Sequence, residues 1–217
     1  MESVTDADPS SPQQPAPPQT AGSSFQKAAQ AAQAKIDEQK WYEALFTLSL
    51  QYSSAELSDE ETRQLVDLLD PLAGKVIYSN EHLIAPAHEV RQGETLGDIA
   101  QKYNVPWQLL TNINSLKNPE VLPPGTKLKV VPGPFRAEIG LDQKQLTLFA
   151  GRLYAGRFHI TVGNDPAPRA GAYQVSDKQP GRTYYAGDGR TIPVGDPCNP
   201  YGQILIDLGG DVCIHGS

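Results

Sequence analysis

Residues 86–132 constrain the fold of this chain more tightly than any other stretch. Glu89–Arg91 reads as a short strand, and Gly93 as a turn after it. Thr95 is placed to cap a helix in which Leu96, Ile99, Ala100 and Tyr103 recur at three- and four-residue spacing. Pro106 opens a second helical run with Leu109, Leu110 and Ile113 on its inner face, a position where the missing N–H costs little. Leu122-Pro123-Pro124-Gly125 then turns the chain into a strand in which Leu128 and Val130 alternate against Lys127 and Lys129. The order is strand, helix, helix, strand.

This stretch resembles a LysM domain over its whole length. The residues that carry the resemblance are His88-Glu89-Val90, Gly93-Glu94-Thr95-Leu96, Ile99-Ala100, Tyr103, Val105, Leu109-Leu110, Asn112 and Asn114, and Leu122-Pro123-Pro124-Gly125. The resemblance implies binding of N-acetylglucosamine-containing glycans, chiefly peptidoglycan and chitin. It places the binding groove between the loop Gly93–Leu96 and the loop Asn118–Pro124, with Gly93, Glu94, Thr95, Leu96, Leu122 and Pro123 as the substrate-binding residues. Loop amides and carbonyls would bond the N-acetyl group while small apolar side chains pack on its methyl. The plain alternative is that Gly93 and Gly125 only make turns and Leu96 is only core; both readings can hold, because loop backbone would do the binding.

Ahead of this module the sequence changes character twice. Residues 1–22 are rich in Pro, Gln, Ser and Thr and nearly free of apolar residues, so they cannot offset their ordering entropy and are expected to form a disordered tether. Residues 23–78 read as helical. Ser24 can cap a run ending near Gln39; Trp41, Ala44, Leu45, Leu48 and Tyr52 line one face of a second; Ser58 with Glu61 forms a capping box for a third, striped by Leu65, Leu68, Leu69 and Leu72. The stretch QKWYEALFTLSLQY resembles half of a tetratricopeptide-type repeat, which leaves two readings: a three-helix bundle, or a repeat that recruits a protein partner.

Residues 134–217 alternate with period two in short runs separated by turns, which argues for a β-sandwich or barrel-like sheet. Phe135, Ala137, Ile139 and Leu141 alternate against Arg136 and Glu138; QLTLFA, LYAGRFHITVG and GAYQVSDK continue the meander; GQILIDLGG and DVCIHGS close it. The segment resembles the catalytic domain of L,D-transpeptidases (YkuD type). The hairpin Arg136–Phe149, GRLYAGRFHITVGND, Pro168 and Gly171, Thr183–Tyr185, Asn199–Gly202 and above all Ile214-His215-Gly216 carry that resemblance. In the family an Ile-His-Gly strand end is followed by a loop and a Ser/Thr-His-Gly-Cys segment. Only the first part is present, so the domain is expected to be truncated and the chain as given inactive.

The resemblance makes His215 the general base and acid toward a cysteine nucleophile, with the Gly216 carbonyl fixing the tautomer of its other ring nitrogen. Cysteine suits peptide exchange because a nearby histidine makes its thiolate accessible. Cys213 lies two residues from His215 on one strand, a Cα separation of about 6.5–7 Å, too long for a direct thiol–imidazole bond. A packed thiol is its default reading, and Cys198 sits in a Pro-rich loop. The two thiols either stand apart or form one bridge in an oxidising compartment. His159 reads as a surface or sheet residue, His88 starts the LysM strand and His82 lies in a linker; no pair has metal-site spacing. Tyr184 and Tyr185 either shape a substrate cleft or pack a loop.

A formal net charge of −7 with no clustered basic face excludes nucleic acid as a partner. Met1 leads into acidic and Pro-rich sequence rather than a leader, although an exported protein is expected to carry one. The expectation is therefore a multidomain α+β protein: an N-terminal helical bundle, a small βααβ LysM module, and an incomplete, mainly-β L,D-transpeptidase-like sheet. Its site would be the periplasmic side of the cell envelope, its partner peptidoglycan, and no cofactor or metal is called for.

Overall fold

A computed structural model of the chain describes residues 23–52, 57–163, 167–210 and 212–216. The tether expected at 1–22, and Asn164, Asp165 and Ser217, lie outside the described residues. The chain contains both helices and sheets and divides into two compact units. One takes in the described residues up to Ile139 together with Leu146–Phe158; the other holds Gly140–Gln145 and the described residues from His159 onward.

The first unit begins with three helices, α1 (Ser24–Asp37), α2 (Trp41–Tyr52) and α3 (Asp59–Ala73). Ser23, not Ser24, caps α1: its hydroxyl accepts the Gln26 N–H at 3.2 Å. The helix stops short of Gln39, which takes a left-handed φ of 59°. The Ser58–Glu61 capping box forms in full, an arrangement worth about 1 kcal/mol. Pro71 near the end of α3 removes one backbone donor, and the chain runs on as a π-helical turn, Gly74–Tyr78. Next come β1 (His88–Glu89), α4 (Leu96–Tyr103), α5 (Trp107–Ile113) and β2 (Lys127–Leu128), the expected strand-helix-helix-strand order. β1 and β2 pair antiparallel, His88 opposite Leu128 and Glu89 opposite Lys127.

One core runs through this unit. Leu45 and Leu48 of α2, Leu65 and Leu69 of α3, Val76 and Ile77 of the π-helical turn, and Ile99, Leu110, Leu128 and Val130 of the βααβ segment are buried in a single cluster with Phe149 and Tyr154. The last two belong to β4 (Gln145–Ala150) and β5 (Leu153–His159), which with β3 (Phe135–Gly140) form a three-stranded sheet in the order β3-β4-β5. Aromatic edges lock the hairpin to α2. Tyr52 meets Phe149 at 5.9 Å and Tyr154 at 5.1 Å between ring centroids, and the Tyr52 hydroxyl lies 2.8 Å from Thr147 Oγ1. Buried Ser49 accepts the Tyr154 N–H at 2.9 Å, and the Tyr154 hydroxyl donates to Asp70 Oδ1 at 2.6 Å.

Two alternation patterns differ from the burial found. In β3, Ala137 and Ile139 are as exposed as Arg136 and Glu138, so neither face of this strand is covered along its middle. In β4 the buried set includes Thr147 and Phe149; the threonine is tolerated inside because the Tyr52 hydroxyl meets its own.

Lys129 departs furthest from its pattern. Expected on the polar side of its strand, it is only 1% exposed. Its Nζ donates to Val76 O at 2.8 Å and to Ser79 O at 2.7 Å. Carbonyls at the end of a helical turn lack intrahelical donors, and a long aliphatic stem can carry an ammonium to them. Burial pulls this amine down to about 8, with Glu81 acting in the opposite direction. The unfolded chain therefore holds more protons than the folded one from pH 8 to about 10.4, and stability rises with pH across that interval, by at most about 3 kcal/mol. Tyr78 and Tyr154 reverse the trend: burial raises both, so they stay protonated in the fold above pH 10 while the unfolded chain ionises. Urea midpoints measured from pH 7.5 to 11 are expected to climb and then fall, and Lys129→Met to remove the climb alone. A flat wild-type profile between pH 8 and 10 would contradict the burial of a charged amine.

In the second unit the strands form separate small sheets instead of one meander. β6 (Asp177–Pro180), β9 (Ile204–Asp207) and β10 (Cys213–His215) make an antiparallel sheet in the order β10-β9-β6. β7 (Tyr184–Tyr185) pairs with β8 (Thr191–Ile192). The run Ala172–Ser176 alternates in sequence yet lies exposed outside any strand.

Candidate functional site

Two places carry the residues singled out by sequence. The first is one end of the β1–β2 ladder. Because the strands are antiparallel, the loop leaving β1 and the loop entering β2 emerge at the same end; Gly125 N–H donates to Val90 O at 2.8 Å and Val90 N–H to Thr126 O at 2.9 Å, tying their bases together. Gly93 is exposed in the first loop, and Pro123 in the second, where Leu122 is half-buried against the core. Leu96 is buried.

The side chains of Glu94 and Thr95 are engaged within the loop. The Thr95 hydroxyl accepts the Asp98 N–H at 3.2 Å and donates to Asp98 Oδ2 at 2.6 Å, completing a capping box for α4. The Glu94 carboxylate accepts the Arg91 N–H at 2.9 Å and lies 2.9 Å from His88 Nε2. Its pKa is lowered, first by the Arg91 amide and then by His88. His88, almost fully buried, places Nδ1 3.1 Å from the Tyr103 hydroxyl. A chain His88–Glu94 thus braces the first loop from beneath. Sequence reading saw His88 only as a strand start; its partners lie six and fifteen residues away, at no helix or strand spacing.

The second place is the end of β10. His215 Nδ1 lies 2.9 Å from Gly216 O, and among the described residues this carbonyl is the imidazole's hydrogen-bond partner. His215 pairs across the sheet with buried Leu205, and Cys213 with Asp207. Cys213 and His215 therefore share a face, and both are exposed. Cys198 and Cys213 are free thiols. An aromatic row flanks the imidazole: Tyr201 meets His215 edge-on at 5.6 Å, Tyr184 meets Tyr201 at 5.5 Å, and the Arg182 guanidinium lies 5.8 Å from the Tyr201 ring centre. Of the two tyrosines considered from sequence, Tyr184 joins this row and Tyr185 stands 76% exposed. His159 is exposed on β5.

Buried Asn199 builds the turn that presents Tyr201. Its Nδ2 donates to Arg182 O, Ile192 O and Pro193 O at 3.0–3.2 Å, and its Oδ1 accepts the Tyr201 N–H at 2.9 Å. Among the described residues no helix is long and apolar enough to cross a membrane.

The LysM domain family matches residues 88–131, so that the ladder, both short helices and both loops form a LysM domain. No curated protein matches the chain. A solved structure described as "Crystal structure of MoCVNH3 variant (Mo0v) in complex with (N-GlcNAc)4" is similar at 21% identity over 39% of this chain and 64% of that one, with a TM-score of 0.23. The chain spans less than two thirds of that structure's length. The family match covers residues 88–131 and does not extend into residues 134–217.

Proposed function

We propose that this chain is a peptidoglycan-directed protein of the cell envelope, held on its periplasmic side, whose LysM domain grips N-acetylglucosamine-containing glycan. The observation that carries this reading is the LysM domain at 88–131 with its two loops at one end of the ladder. Glu94 and Thr95 are spent on bracing the first loop, which leaves backbone of Gly93–Leu96 and Asn118–Pro124 to bond the N-acetyl group. Leu122 and Pro123 supply apolar surface for its methyl. In co-sedimentation with insoluble peptidoglycan or chitin the chain should pellet, and soluble N-acetylchitotetraose should release it. A chain that stays in the supernatant with both polymers sinks the reading.

A finer reading makes the protein an L,D-transpeptidase, and the observation favouring it is the His215–Gly216 contact, which turns Nε2 away from Nδ1's partner and leaves it to meet a thiol. A cysteine thiol would give its proton to Nε2, and the thiolate would attack the carbonyl carbon next to the terminal D-alanine of a tetrapeptide stem. D-Alanine leaves with that proton on its amine, and a thioester remains. A diaminopimelate side-chain amine then attacks the thioester, its proton passes through the imidazole to the departing thiolate, and a new amide cross-link results. The LysM domain would raise the local glycan concentration without entering the chemistry. The reading requires a Ser/Thr-His-Gly-Cys segment, which residues 134–217 do not contain. The coding sequence after Ser217 decides: such a segment keeps the transpeptidase reading, and a stop codon in its place leaves a non-catalytic LysM binding or scaffold protein, with the helical segment as the surface for a protein partner.

A further inference from the structure

We propose that Lys129 is a positioning residue for the glycan-facing loop, through which the helical segment fixes the base of residues 118–124. The proposal rests on the glycan-binding reading for its function and on a three-way node for its geometry. On one side the Lys129 ammonium donates to Val76 O and Ser79 O at 2.8 and 2.7 Å, where the π-helical turn gives out. On the other, the Asn114 side chain grips the Lys129 main chain: Lys129 N–H donates to Asn114 Oδ1 at 2.7 Å, and Asn114 Nδ2 donates to Lys129 O and to Leu110 O, each at 2.9 Å.

Asn114 closes α5. The chain leaves α5 there and comes back at Lys129, so the whole excursion that contains Asn118–Pro124 starts and finishes at one node. Apolar contacts of Leu128, Val130 and Val131 hold the returning strand in the core, but such contacts are non-directional. Two hydrogen bonds from one ammonium to two carbonyls are directional; they set the register of the strand against the helix end. An aliphatic side chain of the same length would fill the space without the cost of burying a charge. What the ammonium adds is this fixed geometry, and the part of the LysM domain it fixes is the base of the second loop.

The test uses the full chain with two substitutions. Lys129→Met keeps the stem and removes the donors. Val131→Ala opens a cavity in the same buried run without touching the carbonyls of Val76 or Ser79. Residue-resolved amide exchange and titration with N-acetylchitotetraose are measured on both. Lys129→Met, which removes both hydrogen bonds of the ammonium, is expected to speed exchange at the amide-bearing residues of this loop, Asn118, Glu120, Val121 and Leu122, by about tenfold or more, and to weaken glycan binding in step. Val131→Ala is expected to speed exchange across the core without favouring the loop. Unchanged loop exchange in Lys129→Met overturns the proposal, and so does equal opening of the loop in Val131→Ala. If the wild-type chain does not bind the tetrasaccharide, the glycan reading falls, while the exchange comparison still decides whether Lys129 positions the loop.

Discussion

Tyr154→Ala is expected to lower the unfolding free energy of the helix-containing unit by about 3–5 kcal/mol, the range for removing a large aromatic from a core. Tyr154 is fully buried, with its ring edge-on to Phe149 at 6.4 Å and tilted against Tyr52. Its hydroxyl also satisfies Asp70 Oδ1, and the truncation leaves that carboxylate without this donor. Burial, followed by the Asp70 contact, holds the phenol above its ordinary range, so the ring is needed in its neutral, donating form. Tyr154→Phe separates the two contributions: it keeps the ring and should cost about 1.5–3 kcal/mol, the value of a hydrogen bond to a charged partner. Urea denaturation followed by far-ultraviolet circular dichroism measures both. A loss below about 1 kcal/mol for the alanine variant would mean that β5 does not share the helical core. Because that core also contains Ile99, Leu110 and Leu128, the alanine variant should lose glycan binding at the temperature where the helices melt, in one transition.

Gly181→Ala should be about as damaging, in the second unit. A Cβ there would lie 2.2 Å from Gly202 O, a backbone atom that cannot rotate aside. Gly202 is in turn pressed against Gly216: a Cβ on it would come within 2.8 Å of Gly216 Cα, and its φ of 60° already disfavours any side chain. These glycines stack main chain on main chain because the turn held by Asn199 has no room for a methyl between the β6 exit and the end of β10. Overpacking costs about 1–3 kcal/mol, and an obstacle of rigid backbone puts this site at the upper end of that range. Gly202→Ala has a second expected result. By pushing Gly216 it should break the His215 Nδ1 contact, and nitrogen chemical shifts of the imidazole should report a change of tautomer population. Unchanged imidazole shifts in a folded Gly202→Ala chain would show that Gly216 does not set the tautomer.

The local architecture of 88–131 was legible in the sequence because its signals act over short distances. Thr95 caps the helix that starts at the next residue through Asp98, three positions on, Pro106 precedes α5, and the turn Leu122–Gly125 feeds β2. At the end of β10 His215 Nδ1 lies 2.9 Å from Gly216 O, a contact between adjacent residues. The period-two runs from residue 134 also marked most strands correctly. They could not say which strands pair, because alternation fixes which face a residue takes and not which strand lies beside it.

By itself, then, the sequence determined the helices, the Ser58 and Thr95 caps and the strand-helix-helix-strand order, since each follows from neighbours within a turn or two, while the cap of α1 fell on Ser23, one residue before the one expected. The tertiary structure alone decided that helices, LysM domain and the β4–β5 hairpin share one core, that Lys129 is buried in it, and that Glu94 is drawn to His88. It also decided that Tyr201 lies against His215, fourteen positions along the chain. Each of those contacts joins groups far apart in the chain or outside any regular spacing. Their energies come from burial and from directional bonds that exist only once the pieces have met, and no local periodicity encodes them.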